Sequence, residues 1–272
     1  MIIDSFPYFN EKELLELRIR LLRDYVDKFI IIDSNRTHTG KPKPFTCKDT
    51  LISLGLFSEQ TQVIEYDMSH LDNEPDTWVR ERSQRDQLNK YVNDNDYCFV
   101  SDCDEIINPD SIRDHITLIK QDNIEVSFIN MHNLAYRADL TLSNNQEGEN
   151  AYWNSAYTCK GSMFKRNTPS YYREKLAWGG DVRTWDFVVS YIFGVHGWHF
   201  TWMGGSEKTK IKNISMAYHP GVNDKFDESF VPTEGGRDIF NRDGHTLSKF
   251  NVDNLPKLIW ELSHVKKFLL PD

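Results

Sequence analysis

A chain of 272 residues with 39% hydrophobic and 27% charged side chains has enough apolar material for one sizeable core and lacks the composition of a disordered segment. Its 41 acidic against 32 basic residues leave a formal charge of -9, which excludes a global field drawing it to DNA or to anionic membranes, although a local basic cluster stays possible. The longest apolar runs, such as Phe29 to Ile32 and Phe268 to Leu270, fall far short of the ~20 residues that span a bilayer. With no signal-peptide pattern at the N-terminus, a cytosolic protein without a membrane anchor is expected. Cys47, Cys98, Cys103 and Cys159 form no CxxC pair, which speaks against a zinc site and for reduced thiols.

Met1 to Phe6 reads as a short buried strand. Glu11 to Val26 then carries Leu14, Leu17, Leu21 and Leu22 at helical spacing. Phe29 to Asp33 is a continuous apolar run closed by a carboxylate, the pattern of a parallel strand covered on both faces. Lys48 to Leu56 predicts a helix, Val63 to Tyr66 a strand, Glu74 to Val92 a longer helix, and Tyr97 to Val100 another strand stopped by acidic residues. This alternation predicts a right-handed βαβ arrangement, an α/β fold whose ligands bind beyond the carboxyl ends of the strands. A helix from Asp110 to about Ile119 and strands near Val126 to Asn130 follow. The polar stretch Ser143 to Asn150 is expected to be an exposed loop, and the remainder mixes short strands, aromatics and glycine turns. One domain over 1–272 is expected, with residues 1–110 holding the nucleotide and a more irregular 111–272 holding an acceptor.

Asp102, Asp104 and Glu105 follow the Tyr97 to Val100 strand, and in an extended segment Asp102 and Asp104 project to one side. Two carboxylates facing one ligand suit Mg2+ or Mn2+, which bind through one or two carboxylates plus substrate phosphates. An ordinary acidic strand end would look the same. Val195 to Gly205 packs His196, Trp198, His199 and Trp202 among glycines. Imidazole can complete a metal's coordination, and Trp offers a stacking face. His196, Trp198, Phe200 and Trp202 should share one strand face, with His199 on the other. A core strand with a satisfied histidine is the plainer alternative.

Arg82, Arg85 and Gln84 lie on the predicted helix, where the arginine forks could reach a phosphate at the sheet edge or simply form a solvated face. Asp33 and Asn35 stand at the end of the second strand, in a donor-rich loop running to Lys43. Gly235-Gly236-Arg237 could close over a diphosphate, or be a plain turn.

In order and rough spacing, Asp4 to Glu11 with Glu13 to Arg18, Asp33 to Lys43, Glu81 to Arg85, Ser101 to Glu105 and His196 to Trp202 resemble the family 17 glycosyltransferases. The resemblance implies a GT-A type, Rossmann-like fold with a mostly parallel sheet flanked by helices. It also implies a UDP-sugar donor, N-acetylglucosamine first among the sugars, a divalent metal on the acidic motif, and inversion at the anomeric carbon. On that reading Asp104 is the main metal ligand, Asp102 contacts metal or ribose, and His199 is the additional ligand. Arg82, Arg85 and Arg237 would stabilise the diphosphate, with Asp33 and Asn35 in the nucleotide site. Inversion calls for a general base near the acceptor hydroxyl, for which Glu207, just after the last motif, stands narrowly ahead of Asp181 after Trp178-Gly-Gly. The acceptor would be a glycan or another hydroxyl compound. A carbohydrate-binding protein without turnover, or a transferase acting on modified nucleobases in DNA, are the alternatives, nucleic acid being the less favoured partner on charge.

Overall fold

The computed structural model describes the chain except for residues 122, 144–151, 179, 218, 220, 221, 271 and 272. In chain order its elements begin with β1 (Ile2–Tyr8), α1 (Lys12–Leu22), β2 (Lys28–Ser34), α2 (Cys47–Ser53), β3 (Thr61–Tyr66), α3 (Thr77–Asp86), β4 (Tyr97–Val100) and β5 (Glu105–Ile107). They continue with α4 (Ile112–Lys120), β6 (Val126–Phe128), β7 (Met131–Ala135), β8 (Leu140–Ser143), β9 (Tyr152–Trp153) and β10 (Tyr157–Lys160). The rest are α5 (Pro169–Trp178), β11 (Val189–Tyr191), β12 (Gly197–Thr201), α6 (Gly205–Ser215), β13 (Thr246–Lys249), α7 (Leu258–Glu261) and α8 (Ser263–Leu269).

The main sheet has the order β11-β6-β10-β4-β1-β2-β3. β4, β1, β2 and β3 are mutually parallel, β10 runs against both of its neighbours, and β11 lies parallel to β6. This is the mostly parallel, helix-flanked α/β sheet expected. β2 shows why its run is apolar without a break: Phe29 and Ile31 enter the core on one face, and Ile30 and Ile32 enter the core on the other.

A second sheet, ordered β13-β8-β7-β12-β5 with β9 beside β7, covers one end of the first. Trp198 and Phe200 of β12 join the same core as Phe6, Phe29 and Ile31, and α1, α7 and α8 close that core from outside. Three strands of residues 111–272, β6, β10 and β11, thus complete the main sheet, while β5, from the first 110 residues, belongs to the second. The two halves interleave rather than sit side by side.

The helix expected over Glu74 to Val92 ends as α3 at Asp86 and continues only as a 3-10 turn over Gln87–Lys90. Of the polar stretch Ser143 to Asn150, Ser143 ends β8 and the rest lies outside the described residues. All four cysteines are buried and unbridged. No helix among the described residues is long and apolar enough to cross a membrane.

Candidate active site

The carboxyl ends of β1, β2 and β4 open into a cleft of about 520 Å³, where open α/β sheets bind ligands. Tyr8, Phe9 and Glu11 line it after β1, Ser34, Arg36 and His38 after β2, and Asp102, Cys103 and Asp104 after β4. α3 adds Arg85, α5 adds Arg173, and the second sheet with α6 adds Asn133, His199, Thr201 and Lys212. At the mouth the indoles of Trp78 and Trp178 meet edge to face at 5.8 Å, and Trp178 is 66% exposed.

The acidic turn is held from below. Arg18, from α1, is fully buried and donates to both carboxylate oxygens of Asp4 (2.7 and 2.6 Å), to Ser101 Oγ (2.6 Å), and to the carbonyls of Asp102 (2.6 Å) and Glu105 (3.0 Å). Glu105 turns inward: its carboxylate accepts from Arg173 at 2.7 and 2.8 Å and from the indole nitrogen of Trp153, and also takes the Asp102 amide at 2.8 Å. That leaves Asp102 and Asp104 facing the cleft.

Asp102 accepts from Arg85 Nη2 at 2.8 Å on one oxygen and from Arg173 Nη2 at 2.6 Å on the other. Burial opposes its ionisation, but Arg173 and then Arg85 outweigh burial and hold its carboxyl below the usual carboxylate range. Arg85 is itself buried, and its Nε has no acceptor among the described residues.

Asp104 is 5% exposed. Its Oδ2 accepts from Lys212 Nζ at 2.7 Å, whereas its Oδ1 lies 3.8 Å from His199 Nε2. The other imidazole nitrogen, Nδ1, is 3.0 Å from Asn133 Oδ1. Since the Asn133 amide nitrogen is turned to the Leu142 carbonyl at 3.5 Å, Nδ1 carries the proton and Nε2 presents a lone pair. Burial pulls the His199 pKa below its ordinary value against the opposing pull of Asp104. The ring is clamped by Trp153, stacked at 4.5 Å and 25°. Neither Asp104 Oδ1 nor His199 Nε2 has a hydrogen-bond donor among the described residues. Two metal bonds of about 2.1 Å span about 3 Å at a right angle and about 4.2 Å in line, and the 3.8 Å between these atoms lies between those limits, within reach of a single divalent ion after a small adjustment. Other carboxylates do not complete a larger set: no group of three or more His, Cys, Asp or Glu among the described residues is arranged to hold a metal.

Several residues expected at the site lie elsewhere. Asp33 is fully buried beneath the loop that follows it, paired with Lys43 at 2.7 Å and accepting from the amides of Thr46 and Cys47 at 2.7 and 2.8 Å. It anchors the start of α2 and leaves the cleft wall to Ser34. Asn35 ties two loops together through Asp67 and the Met68 amide, and Arg36 and His38 line the cleft instead. Arg82 points to solvent, paired with Glu174 at 2.5 Å. Asp181 is exposed and clasped by Arg183. Arg237 is 57% exposed, near Asn241 and Asp243, while Arg242 of the same loop reaches the cleft. Glu207 occupies the outer face of α6 and lines a separate pocket. The main cleft therefore brings together Asp102, Asp104, His199 and Arg85, and leaves out Asp33, Asn35, Arg82, Asp181, Glu207 and Arg237.

Arg173, Lys212, Glu11 and Asn133 escape sequence reasoning. The first two are single cations in charged helices with nothing to distinguish them from their neighbours. Glu11 has its pKa pushed up to about 8, chiefly by burial and then by the charge of Asp104.

Three solved structures overlay on part of the chain. They are a 4-diphosphocytidyl-2C-methyl-D-erythritol synthase (12% identity, 72% of this chain and 88% of that chain, TM-score 0.41), a mannose-6-phosphate isomerase from Helicobacter pylori (10%, 80% and 93%, 0.40), and S. aureus TarS 1-349 (10%, 82% and 68%, 0.45). Likeness at this level adds nothing about chemistry. No curated protein matches the sequence. The model of glycosyltransferase family 17 matches residues 1–155, more than half of the chain and the whole of the acidic turn with the strands that carry it, and the protein belongs to that family of glycosyltransferases.

Proposed function

We propose that the protein transfers a sugar, N-acetylglucosamine before others, from a UDP donor to a hydroxyl of a glycan, with inversion and with Mn2+ or Mg2+ on Asp104 and His199. The observation that carries this reading is the pairing of Asp104 Oδ1 with His199 Nε2 at 3.8 Å, two ligand atoms without donors in a cleft ringed by Arg85, Arg173 and Lys212. A divalent ion bound there would offset negative charge on the leaving diphosphate. The chain's own cations serve the same end: Arg85 and Arg173 hold Asp102 and present guanidinium edges at the cleft wall, and Lys212 supplies an ammonium beside Asp104. Trp153 and Asn133 keep His199 in one orientation and one tautomer. Neither Glu207 nor Asp181 lies in the cleft, and this geometry assigns the acceptor's proton to neither.

The test is donor hydrolysis, which proceeds without knowledge of the acceptor. Mn2+-dependent release of UDP from UDP-N-acetylglucosamine is expected, reduced by orders of magnitude in Asp104→Asn. In His199→Ala, weaker Mn2+ binding is expected with little change in the metal-free melting temperature. A fully active, metal-responsive Asp104→Asn variant would overturn the assignment.

A further inference from the structure

A second pocket, of about 280 Å³, lies beyond the wall of the cleft, between the start of α6, the turn after β7 and the segment 226–232. Trp202 lines both cavities. At a little over half the volume of the cleft, the pocket has room for one sugar ring rather than for a nucleotide-sugar.

The backbone around it is unusual in a specific way. Among the described residues, the non-glycine positions with positive φ are three asparagines, which tolerate that region, and two bulky aromatics, Tyr136 (φ 68°) and Trp202 (φ 60°). Both aromatics line this pocket. They terminate neighbouring parallel strands, β7 and β12, with the Tyr136 amide donating to the Thr201 carbonyl at 3.0 Å. A large side chain in the left-handed region costs of the order of 1–3 kcal/mol, and such strain collects at ligand sites. Here it is spent twice, at two core residues that both border the same cavity, while the half-buried Phe226 and Phe230 supply its more accessible aromatic lining. Phe230 packs on Tyr136 at 4.8 Å and extends the apolar wall.

The polar part of the lining is acidic on balance. Arg137 is engaged by Asp139 at 2.9 Å and Lys210 by Glu228 at 2.9 Å, which leaves Glu207 and Asp227 as the further charges of the pocket. That field disfavours phosphates and other anions. Aromatic faces beside carboxylate acceptors match a neutral sugar, whose C–H face packs on rings while its hydroxyls donate.

We infer that this pocket is a carbohydrate subsite holding a ring of the acceptor beyond the one that reacts, with Trp202 as the partition between the two rings. The inference rests on the reading of the acceptor as a glycan. It assigns Glu207 to recognition of a sugar hydroxyl rather than to proton transfer.

The experiment is calorimetry of the full chain with gluco-, manno- and chito-oligosaccharides from mono- to hexasaccharide, for the wild type, Phe230→Ala and Glu207→Gln. In at least one series, affinity should rise about tenfold with length. The gain should disappear in Phe230→Ala and shrink severalfold in Glu207→Gln, while UDP-N-acetylglucosamine hydrolysis stays within about twofold of wild type, since neither residue lines the donor cleft. Should Phe230→Ala fail to fold, the exposed Glu207→Gln carries the test alone. Binding independent of length in every series, or a length gain untouched by these substitutions, overturns the subsite. Absence of donor hydrolysis in the wild type counts against the donor reading only, because the length series needs no donor.

Discussion

Replacing Arg18 by Met should show how strongly the acidic turn depends on a residue that touches no substrate. Arg18 and Asp4 are each 1% exposed as side chains and form a bidentate pair, so the substitution strands a carboxylate in the core. Breaking a buried pair from one side costs about 3–5 kcal/mol, a large share of the roughly 5–15 kcal/mol that holds a domain together. The carbonyls of Asp102 and Glu105 lose their charged donor but keep the Glu105 amide and the Ser101 hydroxyl as donors, so this loss adds less than the stranded carboxylate does. Replacing both partners, as Asp4→Leu with Arg18→Met, removes the stranded charge but not the loss of the charged bonds that run from α1 to those carbonyls. The double variant should therefore regain most of the lost stability and remain weak in UDP binding, since the turn bearing Asp102 and Asp104 is no longer tied to α1. Urea unfolding followed by tryptophan fluorescence, with UDP calorimetry on the same samples, measures both effects. A single variant within about 1 kcal/mol of wild type, or a double variant no more stable than the single, would refute the reasoning.

His115 is fully buried with Nδ1 2.8 Å from Ser127 Oγ and Nε2 unpartnered, and burial, then His196, pull its pKa down to about 3. The unfolded chain takes up this proton below about pH 6.5 while the folded chain does not, so stability is lost as pH falls from there, by about 2 kcal/mol at pH 5. His115→Asn, which cannot titrate, should flatten that slope in urea titrations at several pH values, and an unchanged slope would clear His115 of the effect. Lys212→Met frees Asp104 Oδ2 from its ammonium and should tighten Mn2+ binding severalfold by water-proton relaxation; unchanged affinity would count against Asp104 as a ligand. A methyl group on Gly197 would stand 2.6 Å from the Ile106 carbonyl, so Gly197→Ala should push β12 from β5 and lower stability by about 1–3 kcal/mol, read as a melting shift. A melting temperature equal to wild type would mean the strands part without strain.

The elements most legible in the sequence were those whose pattern is local. Tyr97 to Val100 is β4, and its position beside β1 follows from apolar runs that leave no polar face. The period of two in β12 sends Trp198 and Phe200 to the core and His199 to the cleft. It fails at Trp202, because a left-handed residue breaks the alternation, and only a full backbone reveals such a residue. Asp33 illustrates the opposite error: a carboxylate at a strand's end can serve the next helix as readily as a ligand, and the Thr46 and Cys47 amides that claim it lie more than ten residues away. Arg173 and Lys212 reach the acidic turn from α5 and α6, so their roles depend on how the second sheet docks, which no local period encodes.

Both neighbours of the Asp104 carboxylate, His199 and Lys212, stand outside the 1–155 segment that matches the family. The recognisable portion thus supplies the acid, and the less recognisable portion decides whether that acid meets a lone pair or an ammonium. Exchanges at these two positions would retune charge handling while every diagnostic motif of the first portion stayed intact. Relatives sorted by their shared fingerprint could for this reason differ in metal demand.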